Sequence, residues 1–502
     1  MDRKEQPVLQ ATFSKGCRGY LCLLLLALAP RLALAVVFLR APISMDDMHQ
    51  YDMLARSLIA GNGYRWYARA DVETLQPYLA AYYGFTLPVD QVPVEGYRTV
   101  FRAPGYPFFL AGVYGASGLT HRFAAVRLIQ ALLGASLAPL TALLAVRLGL
   151  ARRTALLAGG IVAVYPILVF YPLALASENL FILLLLAGTV LLLEAIERGH
   201  IATAAGAGLL LGLATLTRST LIAFLPLGAL ALWHSGASPA RGWRSAGLFD
   251  KAIVFSLVAC LAIVPWAVRN SLVLGRPAFI ENSLGYNLFV SYHPRGNGGF
   301  SFNVAGIPLR ILEDDPRDRW AMEQAAGFIR ADPARAALLV PRRLVYFWGL
   351  EDREMLFFHS SGFFGTIPQP WLGLAYLLLV APLVLTALAA PFGFALTPRH
   401  RRLMLGLFAV GMLPHLLILA EPRFHLPLVP LLVPYAAAAW TQPGLVGRIR
   451  QGLRGREPLW MVASAAGLLL LAIWMTHLYR EWPQLVAAMG PGGNSLHFAW
   501  GY

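Results

Sequence analysis

The sequence predicts an all-α polytopic membrane protein built as a bundle of about eleven transmembrane helices. Its 502 residues are 58% hydrophobic and only 13% charged, whereas soluble domains carry roughly a quarter charged residues. Apolar segments of about 20 residues, the length needed to cross a bilayer, recur along the chain. The basic residues behind the formal net charge of +15 lie in short runs between these segments. These three observations exclude a soluble domain with one very large core.

Eleven apolar segments are predicted to span the bilayer. They cover residues 19–39, 121–147, 154–172, 179–196, 201–217, 219–234, 251–268, 371–392, 402–420, 424–441 and 459–477. The first imitates a secretory signal peptide, with Lys15 and Arg18 preceding an apolar run. Because that run continues to Leu39, we expect an uncleaved first helix.

The distribution of arginines predicts the orientation of the helices. With the N-terminus in the cytoplasm, the positive-inside rule is satisfied by the loops at 148–153, 197–200, 235–250, 393–401 and 442–458. Two long stretches, residues 40–120 and 269–370, then fall on the outer side, and we expect them to carry interfacial helices at Gly105–Gly118 and 323–350. We therefore expect a transmembrane domain over residues 1–480 that includes both outer loops, followed by an outer tail at 481–502.

The basic composition does not indicate a nucleic-acid partner, because no basic stripe is interleaved with exposed aromatic residues. The three cysteines, Cys17, Cys22 and Cys260, lie in or beside apolar segments. They predict neither a disulfide framework nor a metal cluster.

Two adjacent carboxylates, Asp46 and Asp47, open the first outer loop. Tyr51 follows Asp47 by one turn on the same face of a predicted helix. Partial desolvation near the bilayer edge raises the proton affinity of a carboxylate and suits it to act as a general base. Acidic residues at a helix N-terminus also complement the helix dipole without any catalytic role. The residues alone leave both interpretations open.

Further ionisable residues lie at predicted outer helix ends: Arg102, Glu178, Arg218, Arg269, Arg423 and His425. Ionisable groups at membrane depth are costly and often mark functional sites. The positive-inside rule disfavours arginines on the outer side, so several together indicate an anionic ligand such as a phosphate. Each arginine alone is equally well explained by a side chain that reaches the lipid headgroups.

Six short segments carry a family resemblance, and they follow one another in order over most of residues 20–440. They are Asp47–Tyr64, Arg102–Pro107, Ser177–Glu178, Leu216–Arg218, Pro265–Asn270 and Glu421–Pro427. Together they resemble segments of the type C (GT-C) glycosyltransferases. Within that class they look most like the bacterial dolichyl-phosphate-mannose protein mannosyltransferase-like proteins, which also include the aminoarabinose transferases of lipid A.

The resemblance implies a GT-C-type fold in the bacterial inner membrane, with an active site on the outer, periplasmic face. It implies inverting transfer of a hexosyl or pentosyl group from a polyprenyl-phosphate donor to a hydroxyl of a lipid, glycan or protein acceptor. Membrane lipids are the other expected partners, and nucleic acid is not one. No cofactor is implied, although a divalent metal beside Asp46 and Asp47 is compatible with the sequence.

The resemblance also assigns catalytic roles. In the family an acidic residue at the start of the first outer loop deprotonates the acceptor, and the spacing to the following Tyr and Ala selects Asp47 over Asp46. The family more often has Asp-Glu where this chain has Asp47-Met48, so the choice between the two carboxylates stays open. Glu178 matches a second acidic position that orients the acceptor or the base.

Candidate binding residues follow from the chemistry of the reaction. Displacement at the anomeric carbon releases a lipid phosphate, whose charge cationic side chains would stabilise. The candidates are Arg269, Arg423, His425, Arg218 and Arg102, with Arg269 and Arg423 foremost. Candidates for contact with sugar or acceptor are Tyr51, Tyr106, Asn287 and Tyr292. The Asn/Gly-rich loop after Tyr292 is also explained by the backbone freedom of glycine.

Two other functions fit the same pattern. A transporter or flippase for lipid-linked sugars also needs outer arginines, but it predicts mid-span ionisable residues and discontinuous helices in matched halves. A non-catalytic assembly protein would use the long aromatic outer loops as docking surfaces.

Overall fold

The computed structural model of the protein describes residues 6–235, 247–352, 359 and 367–490. Helices dominate these residues, and the strands within them are one short antiparallel pair. That pair joins β1 (Arg65–Trp66) to β2 (Tyr97–Arg98). The predicted all-α class is confirmed.

The helices of the first part of the chain are α1 (Gln6–Val37), α2 (Asp47–Ile59), α3 (Arg69–Tyr83), α4 (Gly105–Ser117), α5 (Arg122–Arg147), α6 (Arg152–Val164), α7 (Pro166–Phe170), α8 (Glu178–Arg198), α9 (Ile201–Thr217) and α10 (Phe224–Ser235). They are followed by α11 (Gly247–Leu274), α12 (Leu284–Tyr292), α13 (Phe302–Ala305), α14 (Asp314–Ala331), α15 (Pro333–Phe347), α16 (Gln369–Leu396), α17 (Arg401–Leu417), α18 (Val429–Trp440), α19 (Leu445–Arg454) and α20 (Pro458–Met489). Short 3-10 segments lie at Val89–Gln91, Tyr171–Leu173, Ser219–Ala223, Pro308–Arg310 and Pro422–Leu428.

All eleven predicted membrane segments are helical over most of their length. Within the described residues, six helices are long and apolar enough to cross a bilayer, or up to eight spans if each of two bent helix pairs counts as one. The bent pairs are Arg152–Val164 with Pro166–Leu173, at 58°, and Pro422–Trp440 with Leu445–Arg454, at 93°. The chain is therefore a multi-pass membrane protein, and the count of eleven crossings stays a prediction.

The break between α6 and α7 is stabilised by Arg31, a buried residue of α1. Its guanidinium donates to the carbonyl oxygens of Ala163 at 2.7 Å, Leu168 at 3.1 Å and Val162 at 3.2 Å. Carbonyl groups freed by a helix break are costly in a bilayer unless another group satisfies them. Arg31 supplies the donors that the interrupted helix lacks.

Arg127 of α5 fixes the chain where it leaves α1. Its guanidinium donates to the carbonyl oxygens of Phe38 at 3.1 Å, Leu39 at 3.2 Å and Pro42 at 3.1 Å. The N-terminus of α2, a few residues further on, is thereby held beside the bundle.

The two long predicted outer loops pack against each other at one end of the bundle, here called the loop end. Asp314 of α14 accepts hydrogen bonds from the Thr99 hydroxyl and the Val100 N–H, both at 2.6 Å. Around this contact, Trp66, Phe101 and other residues of the first loop share a buried apolar cluster with residues of α12 to α14. The loop end is thus a packed layer over the helix ends.

The opposite end of the bundle gathers the arginine-rich connections. Glu197 at the end of α8 pairs with Arg147 at 3.2 Å, Arg399 at 2.9 Å and His400 at 3.1 Å. These contacts place three of the predicted cytoplasmic loops together. Residues 236–246 of the predicted cytoplasmic loop at 235–250, and residues 491–502 of the predicted outer tail, lie outside the described residues. The tail region begins within α20.

Candidate active site

A cavity of about 660 Å³ lies at the loop end, between the helix ends and the two packed loops. Its charged and polar lining includes Asp46, Asp47, Gln50, Tyr51, Arg102, Glu178, Arg218, Glu281, Asn287, Glu421 and Arg423. Residues that are far apart in the sequence therefore face one space, and most of them were predicted site residues.

Asp47, the first residue of α2, lies between two arginines. One carboxylate oxygen pairs with Arg102, and the other lies 3.1 Å from Nη2 of Arg423. Burial alone would raise the pKa of the Asp47 carboxyl, but the two guanidinium groups outweigh it and lower the pKa to about 2. The Asp47 carboxylate is therefore ionised at neutral pH.

Asp46 has a different environment although it is the adjacent residue. It is the N-cap of α2, and its carboxylate accepts hydrogen bonds from the Met48 N–H at 3.1 Å and from the Ser44 hydroxyl. Burial and the neighbouring charge of Asp47 raise the pKa of the Asp46 carboxyl. The expected rise in proton affinity thus holds for Asp46, but it is wrong for Asp47, because ion pairing exceeds desolvation there.

Arg102 is positioned by the helix that carries Asp47. The Gln50 side-chain oxygen accepts from Nε of Arg102 at 2.9 Å and from Nη2 at 2.6 Å. The guanidinium also lies over the rings of Tyr51, at 5.5 Å, and Phe101, at 5.3 Å. Sequence reasoning missed Gln50, although its position three residues after Asp47 places both on one helix face.

Arg218 and Glu178 form a second charged pair in the cavity wall. Nη1 of Arg218, at the end of α9, lies 2.6 Å from Oε1 of Glu178, the first residue of α8. The Arg218 guanidinium lies over the ring of Phe424 at 5.3 Å. The structure thus brings both predicted residues to the cavity and pairs them with each other.

Arg423 lies between two carboxylates. Its Nε is 2.9 Å from Oε2 of the buried Glu421, and its Nη2 faces Asp47. Arg102, Asp47, Arg423 and Glu421 therefore form a continuous row of alternating charge along the cavity wall. A phosphate in this row would meet two guanidinium groups.

Two predicted phosphate-binding residues do not reach the cavity. The Arg269 guanidinium instead donates to the carbonyl oxygens of Thr99 at 2.6 Å and Tyr64 at 3.3 Å, and it ties the first loop to α11. His425 is fully buried, with Nδ1 2.7 Å from the Phe347 carbonyl oxygen. Their placement is a correction to the sequence-based expectation, because both side chains are occupied by the fold rather than facing the cavity.

The predicted sugar-binding residues divide in the same way. Tyr51 and Asn287 line the cavity. Tyr106 is fully buried and donates to Gln130 at 2.7 Å. The Tyr292 hydroxyl donates to the Leu417 carbonyl oxygen at 3.0 Å and accepts from Arg343 at 2.9 Å. The hydroxyl groups of Tyr106 and Tyr292 are therefore bonded within the fold, and neither residue lines the cavity.

Several lining residues were not predicted from the sequence. Tyr67, Tyr83 and Tyr286 bring aromatic rings to the cavity from both loops, and Glu281 contributes a carboxylate that accepts from Ser219. Aromatic residues are common throughout these loops, so no spacing distinguished the ones that face inward.

The described residues contain no cluster of three or more His, Cys, Asp or Glu side chains arranged to hold a metal ion. Both oxygens of Asp47 face arginines, and Asp46 accepts from a backbone N–H and a hydroxyl. This arrangement differs from the set of free carboxylate oxygens that Ca²⁺ or Mg²⁺ prefers. The cofactor and metal requirements of the protein stay predictions.

One part of this chain matches a known protein family. Residues 109–273, about one third of the sequence, match the profile of the family described as dolichyl-phosphate-mannose-protein mannosyltransferase. The matched segment contains Glu178, Arg218 and Arg269 and begins after Asp47 and Arg102. The resemblance to this glycosyltransferase family, predicted from the sequence, is confirmed. No curated protein matches the chain.

Solved structures of an archaeal enzyme are weakly similar to the chain. The oligosaccharyltransferase of Archaeoglobus fulgidus in its apo form is 15% identical, with 90% of this chain and 56% of that chain covered and a TM-score of 0.45. The A. fulgidus oligosaccharyltransferase AglB in complex with an inhibitory peptide and a dolichol-phosphate is 14% identical, with 90% and 55% covered and a TM-score of 0.43. This chain spans about half the length of those proteins, and the similarity is too low to transfer any residue role.

Proposed function

We propose that this protein transfers a sugar from a polyprenyl-phosphate donor to an acceptor hydroxyl, with inversion, in the cavity at the loop end. The observation that carries the proposal is the position of Asp47 between Arg102 and Arg423. A general base and a cationic site for a phosphate leaving group are thereby adjacent in one cavity. The match of residues 109–273 to a mannosyltransferase family supports the same reaction class.

The reaction follows from these groups as a single displacement. The acceptor oxygen forms a bond to the anomeric carbon while Asp47 takes the hydroxyl proton. The bond between that carbon and the phosphate oxygen breaks, and the phosphate keeps the electron pair. Arg102 and Arg423 stabilise the charge on the departing phosphate. Asp47 then releases its proton to solvent, and attack from the opposite face inverts the anomeric configuration.

The other cavity residues support this chemistry. Arg218, neutralised by Glu178 in the structure, adds a third guanidinium to the phosphate side. Tyr51 and Asn287 line the same space and are proposed to contact the sugar or the acceptor. The acceptor is a lipid, glycan or protein, and the sugar a hexose or pentose. By the positive-inside rule we assign the loop end to the periplasmic side of a bacterial inner membrane.

A flippase for lipid-linked sugars is the second candidate, because the described residues include two bent helix pairs. Transporters often place discontinuous helices at their substrate sites. In the first pair, however, Arg31 satisfies the carbonyl groups at the break. A helix break whose carbonyl groups are hydrogen-bonded in this way is better suited to a fixed scaffold than to a moving gate.

The test uses purified full-length protein in proteoliposomes, with a polyprenyl-phosphate donor labelled in the sugar and a membrane extract from cells that lack the protein. Transfer predicts that labelled acceptor and free polyprenyl phosphate appear in equal amounts, with the opposite anomeric configuration in the product. Movement of intact donor across the bilayer, without release of polyprenyl phosphate, would favour the flippase and contradict the proposal.

A further inference from the structure

We propose that Asp47 and the donor phosphate bind the same two arginines in turn, so that the donor displaces Asp47 from Arg102 and Arg423 before Asp47 acts as the base. The exchange rests on the proposed function, because it assumes a phosphate donor. It adds an order of events, in which donor binding both fills the site and activates the catalytic carboxylate.

The first argument is that the carboxylate occupies the phosphate site. Each oxygen of Asp47 faces a different guanidinium, that of Arg102 on one side and that of Arg423 at 3.1 Å on the other. Guanidinium groups bind carboxylates and phosphates through the same N–H donors. A phosphate that reaches these two arginines therefore competes directly with Asp47.

The second argument is that both arginines have partners other than Asp47. Gln50 accepts two hydrogen bonds from Arg102, at 2.9 and 2.6 Å. Glu421 lies 2.9 Å from Nε of Arg423. These two positioning residues hold the guanidinium groups in place when Asp47 turns away, so the cationic site persists through the exchange.

The third argument concerns basicity. An effective general base has a pKa near the working pH, whereas the paired Asp47 has a pKa of about 2. Separation from the guanidinium groups removes the interaction that lowers this pKa, while the burial that raises it remains. Asp47 therefore becomes a competent base only after the phosphate has taken its arginines.

The exchange has two consequences for turnover. Acceptor hydroxyl groups are not deprotonated until a donor is bound, so the base is activated only when a sugar is ready for transfer. After the reaction, the returning Asp47 carboxylate competes with the polyprenyl phosphate product and promotes its release.

The test measures the affinity of the full-length protein for a short-chain polyprenyl monophosphate, with the corresponding uncharged polyprenol as the probe that lacks phosphate. Asp47→Asn removes the competing charge, so we expect it to bind the monophosphate at least tenfold more tightly than wild type. Asp90→Asn is the matched control, since Asp90 is an exposed loop-end carboxylate that does not line the cavity. The control variant is expected to bind like wild type, and polyprenol binding is expected to be equal in all three proteins.

Equal or weaker monophosphate binding by folded Asp47→Asn protein would overturn the exchange. Thermal unfolding checks the fold, and Asp47→Ser, which also lacks the charge, replaces Asp47→Asn if that variant does not fold. Asp47→Glu keeps the charge and is expected to bind like wild type. If no variant and no wild-type protein binds the monophosphate, the proposed function itself fails. If wild type binds it and transfers sugar while the uncharged variants bind no more tightly, only the exchange fails.

Discussion

Three arginines of the cavity differ in their partners from four arginines that hold the backbone elsewhere in the bundle. Arg102, Arg218 and Arg423 face carboxylates in the cavity wall. A second set, Arg31, Arg127, Arg269 and Arg343, donates to backbone carbonyl oxygens where helices break or loops begin. Between these two sets, the partner type separates arginines that line the cavity from arginines that hold the backbone in place.

The physical reason is the free-energy cost of separating an acceptor from its guanidinium partner. A carboxylate that loses its guanidinium in a solvent-accessible cavity can turn to water or to a proton. A backbone carbonyl in the bundle has no such alternative and costs free energy when unsatisfied. The cavity arginines can therefore change partners during a reaction, whereas the carbonyl-bound ones must stay in place.

The largest expected effect is a loss of sugar transfer when Arg423 is replaced. Arg423→Gln removes a donor to the departing phosphate, so we expect the transfer rate to fall by about 10²–10³-fold. The unfolding temperature should fall less than in Arg343→Gln, because the carboxylates that lose their partner, Asp47 and Glu421, line the cavity and can turn to solvent. Single-turnover transfer and a thermal unfolding curve on the same preparation measure the two effects. A large loss of stability with normal transfer would place Arg423 in the structural set.

The opposite outcome is expected for Arg343. It is fully buried and donates to the Leu416 and Leu417 carbonyl oxygens, at 3.1 and 3.0 Å, and to Ser291. Arg343→Gln leaves several of these acceptors unsatisfied and should lower the free energy of unfolding by about 2–3 kcal/mol. Denaturant unfolding in detergent measures the change. Unchanged stability together with a loss of sugar transfer would contradict the assignment of Arg343 to the arginines that hold the backbone.

Arg269 was predicted from the sequence to bind the phosphate, but in the structure it donates to backbone carbonyl oxygens. Because its guanidinium is held by the Thr99 and Tyr64 carbonyl oxygens, we expect Arg269→Gln to change the affinity for polyprenyl monophosphate by less than about threefold. Stability should fall by about 1–2 kcal/mol. Arg423→Gln is the comparison variant, with a clear loss of affinity. If Arg269→Gln loses as much affinity as Arg423→Gln, Arg269 belongs to the phosphate site after all.

The smallest effect is expected at Tyr106. Tyr106→Phe removes the hydrogen bond to Gln130 but keeps the buried ring, so the free energy of unfolding should fall by about 1 kcal/mol. The transfer rate per folded molecule should stay within about twofold, since a neutral hydrogen bond outside the cavity is lost. A selective rise in KM for the acceptor would instead restore the sugar-binding role predicted from the sequence.

The sequence was sufficient to predict the helices and much of the cavity. Long apolar segments have few alternatives to a membrane helix, and Asp47, Arg102, Glu178, Arg218 and Arg423 all face the cavity as predicted. Arg269 and His425 lie at helix ends too, but position along a helix does not determine which side of it a residue faces. Their direction depends on how α11 and the segment Pro422–Leu428 pack, which the sequence does not show.

The two adjacent aspartates illustrate a finer limit. A shift of one residue at a helix start separates the N-cap, where Asp46 accepts from Met48, from the first helical position, where Asp47 meets two arginines. Helix boundaries predicted from sequence are not precise to one residue. The structure was therefore needed to distinguish the two carboxylates.

The most direct test of the central claim, that Asp47 is the base held between two arginines, compares single-turnover sugar transfer by Asp47→Asn and Asp46→Asn proteins. We expect Asp47→Asn to reduce the rate by about 10²–10⁴-fold, as for removal of a general base. Asp46→Asn keeps an N-cap side chain and should cost less than about tenfold. Transfer that persists in Asp47→Asn, or a greater loss in Asp46→Asn, would contradict the account.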